Sequence, residues 1–267
     1  MKLENGLCPE SSLIHKSLFA LLKAITCPRS TLAWVYRGHL TKDQVFATQT
    51  SWFTGRLPRV PLTKILPGVE EAEVLLPRAF DRKTGTSISV EEACHLGAMA
   101  KCLAVAKALE IGTYDGNTAL VLAANLAAEG VVVTVDLPPD FDMQKQAALT
   151  YSDGEFNLTP RDQLGRQYQG HPLSARIRQV YGDSAALNWS ALGGPFDLVF
   201  IDGCHSEAYV WSDSKNAINH LAPRGVIVWH DYGMLTAVSN VVDRLASEIT
   251  RMRVYALEGT RLAIGLT

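Results

Sequence analysis

The sequence lacks several features that mark other classes of protein. No apolar run reaches the roughly 18 residues needed to span a bilayer, so we expect no membrane partner. The formal net charge is −2, whereas nucleic-acid binders usually carry a concentrated basic excess, so we expect no nucleic-acid partner either. Internal repeats and low-complexity tracts are also absent from the sequence.

Cysteine is sparse and unpatterned. The five cysteines are an odd number, are scattered, and form no C-x-x-C pair: Cys8, Cys27, Cys94, Cys102 and Cys204. This pattern argues against a disulfide framework or a structural zinc site. A reducing compartment, and therefore a cytoplasmic location, is expected.

The chain divides into an irregular first part and a regular second part. Residues 1–84 contain one expected amphipathic helix at 11–26 and a proline-rich stretch at 50–80. We interpret this part as a helical arm that acts as a lid or packs against a second subunit of a homo-oligomer. Residues 85–267 form the main predicted domain.

From residue 85 onward, helical and strand patterns alternate. Helices are expected at 89–106, 117–130, 206–221 and 234–249, the first opened by a capping box of Ser89 and Glu92. Strands are expected at 107–112, 131–136, 175–182, 197–202, 225–231, 252–257 and 261–266. Because most of these strands are apolar on both faces, the pattern predicts an α/β, Rossmann-like, doubly wound fold. It has a mostly parallel seven-stranded sheet with helices on both faces.

Three of the predicted strands end in aspartate. Asp136, Asp202 and Asp231 follow or close apolar runs, and His205 lies three residues after Asp202. Ligands of parallel sheets bind beyond the carboxyl ends of the strands, so these side chains should line one crevice.

The first strand-to-helix turn, "LEIGTYDGNTA", is rich in glycine. Gly112 and Gly116 allow a sharp turn close to a ligand, and Asp136 is placed to accept bonds from ribose hydroxyls. Nicotinamide and S-adenosylmethionine (SAM) sites share this geometry. The turn reads G-x-x-x-G instead of G-x-G-x-x-G, and its acidic neighbours Glu110 and Asp115 suit a cationic sulfonium better than a pyrophosphate.

Five motifs occur in order: "ALEIGTYDGNTALVLAANL", "VVTVDLP", "VYGDS", "FDLVFIDGCHS" and "LAPRGVIVWHDYG". Together they resemble a class I SAM-dependent methyltransferase, over roughly residues 85–267. The nearest kinship is with small-molecule O-methyltransferases of the catechol, caffeoyl-CoA and antibiotic-sugar types.

The resemblance implies a set of cofactor-binding residues. It places Glu110, Gly112, Tyr114 and Gly116 around the methionine end of SAM, Asn117 and Thr118 at the helix start beneath it, Asp136 on the ribose, Leu137 on the adenine, and Asp183 and Ser184 beside the adenine amino group.

The resemblance also implies a metal site and a base. Asp202 and Asp231 match the two carboxylates that bind magnesium in the metal-dependent relatives, and His205 matches a basic residue three positions after the first. An imidazole with an ordinary pKa near 6.5 suits a general base at neutral pH. The alternative is that Asp202 contacts SAM or the substrate directly and that Asp231 caps a turn.

The third metal ligand stays open at this point. The catechol-type pattern has asparagine after the second carboxylate, where this chain has Tyr232. His230 precedes Asp231, but strand alternation should turn it away from Asp231. Packing or hydrogen bonding next to the site is the favoured role of His230.

The predicted function is transfer of a methyl group from SAM to a hydroxyl of a small organic molecule, with magnesium and His205 assisting deprotonation. The alternatives are a SAM-fold binding protein without catalysis and an NAD(P)-dependent oxidoreductase. The connection at 138–174 is long, and with the N-terminal arm we expect it to cover the acceptor site.

Overall fold

The computed structural model describes residues 55–78, 88–151, 159–160 and 162–267. All of them belong to one structural unit. The helix expected at 11–26 and the domain boundary expected at residue 84 lie outside the described residues, and both stay predictions.

In the described part of the chain, eight strands form a single mixed sheet in the order β1-β7-β8-β6-β5-β2-β3-β4. Their bounds are β1 Arg59–Val60, β2 Lys107–Ile111, β3 Val131–Asp136, β4 Ile177–Tyr181, β5 Phe196–Ile201, β6 Leu221–Trp229, β7 Arg253–Leu257 and β8 Ala263–Leu266. Among these eight described strands, only β8 runs antiparallel to its neighbours, β6 and β7. The predicted mostly parallel α/β sheet is therefore confirmed.

The predicted number of seven strands is wrong by one. The additional strand, β1, pairs in parallel with β7 and comes from the segment expected to form the arm. It has only two residues and lies between Pro58 and Pro61, so it carries no alternation that the sequence could reveal.

Six helices accompany the sheet in the described part of the chain. They are α1 Leu62–Ile65, α2 Val90–Cys102, α3 Asn117–Asn125, α4 Met143–Gln146, α5 Glu207–Asn219 and α6 Thr236–Glu248, with short 3₁₀ turns at Val69–Glu71, Pro172–Arg176 and Trp189–Leu192. The predicted capping box of α2 is present, because Ser89 Oγ accepts from the Glu92 amide at 3.1 Å and Glu92 Oε2 accepts from the Ser89 amide at 2.7 Å.

Helix α3 ends five residues before Gly130, where the sequence predicted its end. Asn125 bonds through its side chain to the amide and the carbonyl of Leu75, at 2.9 and 2.8 Å. Leu126 then adopts an extended conformation, and the amide of Ala127 donates to Val105. These tertiary bonds end the helix, and no local signal announces them.

The sheet is covered on both faces. Leu96 of α2 and Leu120 of α3 belong to the core on one face, while Val210 of α5 and Leu245 of α6 belong to the core on the other. Burial of both faces leaves the carboxyl ends of the parallel strands as the open edge for a site. Among the described residues, no helix is long and apolar enough to cross a membrane.

Candidate active site at the carboxyl edge of the sheet

The carboxyl ends of β5 and β6 bring Asp202, His205 and Asp231 together. These strands are neighbours in the sheet, so the residues that follow them meet at one edge. His205 Nε2 lies 3.4 Å from Asp202 Oδ1 and 3.4 Å from Asp231 Oδ2. One ligand atom from each residue lies within 4.8 Å of the others. Two carboxylates and one imidazole at this spacing could hold a divalent cation.

The charges of this cluster stabilise one another. Burial alone would raise the pKa of the Asp202 carboxyl, but the neighbouring His230 and His205 hold it well below its usual range. Burial would lower the pKa of His205, and the two carboxylates outweigh that effect and raise it. His205 is therefore a stronger base here than a free imidazole would be.

His230 also faces the cluster, so the expectation that alternation turns it away from Asp231 is wrong. The side chain is 3% exposed, and Nδ1 lies 3.0 Å from Asp202 Oδ1 and 3.4 Å from Asp231 Oδ1. The physical reason is the backbone of Asp231, whose φ of 56° is left-handed and breaks the alternation of the strand. The favoured role of His230, hydrogen bonding next to the site, agrees with these contacts.

The same backbone turn directs Tyr232 out of the cluster. Its hydroxyl accepts from the Leu57 amide at 2.9 Å and donates to Asp243 Oδ1 at 2.6 Å. Tyr232 therefore connects the segment before β1 to α6, and its bonds do not involve Asp202 or Asp231.

Glu92 and Arg261 border the cluster, and the sequence did not indicate either as a site residue. Arg261 Nη2 contacts Glu92 Oε2 at 2.9 Å and its Nη1 contacts Asp231 Oδ1 at 3.0 Å. His230 Nε2 lies 3.4 Å from Glu92 Oε2. Burial would raise the pKa of Glu92, but His230 and Arg261 keep it far below its usual range. The capping pattern predicted that Glu92 caps α2. It gave no sign that Glu92 also pairs with Arg261 and His230.

The glycine turn lies directly beside this cluster. Gly112 has φ of 97°, and a Cβ there would come within 2.1 Å of the Asp202 carbonyl oxygen. Asp136 Oδ2 accepts from the amides of Thr113 and Tyr114, each at 3.0 Å. A third amide, that of Leu137, donates to Asp136 Oδ1, so the carboxylate fixes the turn. Burial raises the pKa of Asp136 despite these three bonds.

Glu110 lies beneath the turn and is fully buried. Its Oε2 accepts a bond from the Thr134 hydroxyl, while its Oε1 has no hydrogen-bond partner among the described residues. Burial raises the pKa of Glu110 well above its usual range. A buried acceptor oxygen without a donor beside a glycine turn suits the ammonium group of SAM.

Helix α3 begins at Asn117, where the sequence predicted its start. Gly116, with φ of 81°, is the N-cap and has no side chain to cap the helix. Asn117 and Thr118 open the helix and are each 8% exposed, and Tyr114 adopts a left-handed φ of 45°.

Asp183, Ser184 and Leu137 lie at the ends of β3 and β4. The Asp183 carboxylate accepts from the Tyr209 hydroxyl at 2.7 Å and from the Ala148 amide at 2.8 Å. It therefore ties the long connection to α5. Leu137 and Ser184 are half-buried, and the Ser184 carbonyl accepts from the indole of Trp189.

The described parts of the connection at 138–174 pack at two places. Thr150 accepts at its carbonyl from Ser206 at 3.1 Å, near the start of α5. Residues 162–170, here called the cover segment, lie against the glycine turn, where the Gly165 amide donates to the Tyr114 carbonyl at 2.8 Å. That this connection covers the acceptor site stays a prediction.

Comparisons with known proteins support this fold. Residues 109–232 match a family model described as a methyltransferase domain. A catechol O-methyltransferase from Mycobacterium tuberculosis is 27% identical over 174 residues, which cover 61% of this chain and 66% of that protein. The chain thus spans about two thirds of the length of this curated relative.

Two solved structures share the fold. The cofactor-bound structure of Rv0187 from MTB has a TM-score of 0.54 at 21% identity, covering 85% of this chain and 98% of that one. The O-methyltransferase TomG from Streptomyces achromogenes, in complex with SAM, has a TM-score of 0.51 at 15% identity, covering 76% and 96%. The Rossmann-like fold class is confirmed by these likenesses.

Residues 109–232 of this chain are therefore similar to a methyltransferase domain, as the motifs predicted. The domain match spans the glycine turn, Asp136, Asp183, Asp202, His205 and Asp231.

Proposed function

We propose that this protein transfers a methyl group from SAM to a hydroxyl of a small organic molecule. The observation that carries the proposal is the contact between the glycine turn and the cluster of Asp202, His205 and Asp231. In-line methyl transfer requires the sulfonium and the acceptor oxygen to lie next to each other. The similarity to a catechol O-methyltransferase and to the O-methyltransferase TomG supports the same chemistry.

His205 takes the proton of the acceptor hydroxyl at Nε2. The carbon–sulfur bond breaks as the carbon–oxygen bond forms, and S-adenosylhomocysteine leaves as the second product. Asp202 and Asp231 flank Nε2 at 3.4 Å and stabilise the imidazolium that forms. A divalent cation held by Asp202 and Asp231 would lower the pKa of the acceptor hydroxyl.

The cofactor is held by the residues around the glycine turn. Gly112, Tyr114 and Gly116 surround its methionine end, and the buried Glu110 Oε1 accepts from its ammonium. Asn117 and Thr118 offer the helix start, Asp136 holds the ribose, and Leu137, Asp183 and Ser184 border the adenine. SAM supplies the methyl group when it is bound.

Calorimetric titration with S-adenosylhomocysteine and, separately, with NAD tests the cofactor. Micromolar binding of S-adenosylhomocysteine with no binding of NAD supports the proposal. Binding of NAD alone would favour the oxidoreductase alternative. Failure of S-adenosylhomocysteine to bind would overturn the proposed function.

Transfer of labelled methyl from SAM to a panel of hydroxylated small molecules tests the chemistry. His205→Ala should lower turnover by about 10²–10⁴-fold at unchanged S-adenosylhomocysteine affinity. His95→Ala, on α2 outside the cluster, is the matched control. Cofactor binding without transfer, insensitive to His205→Ala, would favour a SAM-binding protein without catalysis.

The metal proposal has its own test. Titration with Mg²⁺ and with Mn²⁺ should show binding that Asp231→Asn removes. Equal binding by the wild type and Asp231→Asn would assign the cation to another site.

Three further features belong to this proposal. We place the protein in the cytoplasm, since the five cysteines are scattered along the sequence and form no C-x-x-C pair. We expect no nucleic-acid partner from the net charge of −2. Residues 1–84 serve as an arm that covers the site or joins two copies, and 85–267 as the catalytic domain.

A further inference from the structure

Three neighbouring strands carry polar side chains at one level of the sheet. Glu110 on β2 is in register with Thr134 on β3, and Thr134 is in register with Gln179 on β4. Glu110 and Thr134 are 1% and 0% exposed. Burial of polar groups in an apolar layer is unfavourable unless each one is hydrogen-bonded.

The hydrogen bonds of this row form one continuous chain. Tyr168 Oη donates to Gln179 Oε1 at 2.6 Å, and Gln179 Nε2 donates to Thr113 Oγ1 at 3.1 Å. Thr113 Oγ1 lies 2.6 Å from Thr134 Oγ1, which in turn donates to Glu110 Oε2. Because the proton of Thr134 goes to Glu110, the Thr113 hydroxyl donates to Thr134. Every bond then points toward the Glu110 carboxylate, and bonds aligned in this way strengthen one another.

The far end of the chain lies in the cover segment. Tyr168 is 9% exposed, and burial raises the pKa of its phenol, so its hydroxyl keeps the proton that it donates. Its ring and hydroxyl fill the space at Gly116 and Gly165, where a Cβ would come within 2.5 and 2.3 Å of Tyr168 atoms. Both glycines have positive φ, so this close approach is built into the backbone.

The near end of the chain is an acceptor without a donor. Glu110 Oε1 is buried and has no hydrogen-bond partner in the described part of the chain. Its carboxyl therefore has one oxygen fixed by Thr134 and one oxygen open. A carboxyl group held in this way is oriented for a cation before the cation arrives, and a cation beside it favours the ionised form that burial disfavours.

We propose that Thr134, Thr113, Gln179 and Tyr168 are positioning residues that hold Glu110 for the ammonium group of SAM. The chain also ties the cover segment to the amino-acid end of the cofactor. This inference rests on the proposed function, because it takes SAM as the ligand.

Calorimetric titration of the full-length protein with S-adenosylhomocysteine and with adenosine tests the role of this hydrogen-bond chain. Adenosine lacks the homocysteine part and its ammonium group. Thr134→Val should weaken S-adenosylhomocysteine binding by about tenfold or more, since a bond to a charged group is lost. Adenosine binding should stay within about twofold, and Thr134→Ser, which keeps the hydroxyl, should restore wild-type affinity.

Tyr168→Phe tests the far end of the hydrogen-bond chain. Its result does not depend on the stability of the Thr134 variant. It should weaken S-adenosylhomocysteine binding by about threefold to tenfold. In the double variant the loss should be smaller than the product of the two single losses, because either substitution interrupts the same chain. Thr250→Val, at an exposed position, and Tyr255→Phe, on β7 in the other half of the sheet, are the matched controls.

Wild-type affinity in both Thr134→Val and Tyr168→Phe would overturn the inference. Equal losses for adenosine and S-adenosylhomocysteine would also overturn it, since the role would then be structural only. Failure of the wild type itself to bind S-adenosylhomocysteine would instead overturn the proposed function.

Discussion

Asp213→Asn should stabilise the protein at pH 8 and have little effect at pH 4. Asp213 is a fully buried residue of α5, and neither carboxylate oxygen has a hydrogen-bond partner among the described residues. Burial raises the pKa of Asp213 to about 7; the nearby Ser184 side chain opposes the rise, and the charge of Asp183 adds to it. In the unfolded chain the pKa is about 3.9. The folded state therefore binds more protons between these two pH values.

The sign of the effect follows from this proton count. The free energy of unfolding of the wild type falls by about 1.4 kcal/mol per pH unit across this window, because ionising Asp213 in the folded state is unfavourable. The loss reaches about 4 kcal/mol above pH 7. Asparagine does not ionise, so the variant lacks this loss.

Urea unfolding followed by tryptophan fluorescence between pH 4 and 8 measures the effect. The difference in free energy of unfolding between the variant and the wild type should grow up to pH 7 and then level off. Asp140→Asn, at an exposed position, is the control and should show no such growth. A difference that is constant with pH, or a variant less stable than the wild type at pH 8, would refute the assignment of a buried neutral Asp213.

Three further substitutions test the packing around the site. Tyr232→Phe removes both hydrogen bonds of its hydroxyl and should lower the free energy of unfolding by about 1–3 kcal/mol in urea; an unchanged value would contradict these bonds. Arg261→Leu leaves the buried Glu92 and Asp231 with His230 as the one cationic partner that they still share among the described residues and should cost about 3–5 kcal/mol by calorimetry, so a stabilised variant would count against the ion pairs. Gly112→Ala forces an alanine into φ of 97°, with its Cβ 2.1 Å from a backbone oxygen, and should weaken S-adenosylhomocysteine binding by more than about tenfold; wild-type affinity would show that the turn tolerates a side chain.

Most of the fold could be predicted because its signals are local. Strands such as β3 and β5 are mostly apolar, and the capping box of α2 is a four-residue pattern. The end of α3 and strand β1 were not predictable in the same way. Asn125 ends α3 through bonds to Leu75, 50 residues earlier, and β1 has only two residues. Tertiary bonds of this kind override local helix propensity, and a short stretch of sequence does not reveal them.

The candidate site shows the same division. Asp202, His205 and Asp231 stand out because each follows a strand, and the topology then brings them together. Glu92 and Arg261 are 169 residues apart, and nothing in either local segment indicates that they meet. The two residues meet because the folded sheet places the turn between β7 and β8, which carries Arg261, beside the start of α2.

The left-handed backbone of Asp231 explains how this chain departs from the pattern that its motifs resemble. With φ of 56°, Asp231 brings the residue before it into the cluster and sends the residue after it toward α6. His230 and Arg261 both contact Asp231 Oδ1, at 3.4 and 3.0 Å, so this oxygen already has cationic partners. Asp231 Oδ2 faces His205 instead. A cation drawn to Oδ2 would lie next to His205 Nε2 and lower the pKa of that imidazole. In the proposed site, metal affinity and the strength of the base would therefore be coupled through one carboxylate.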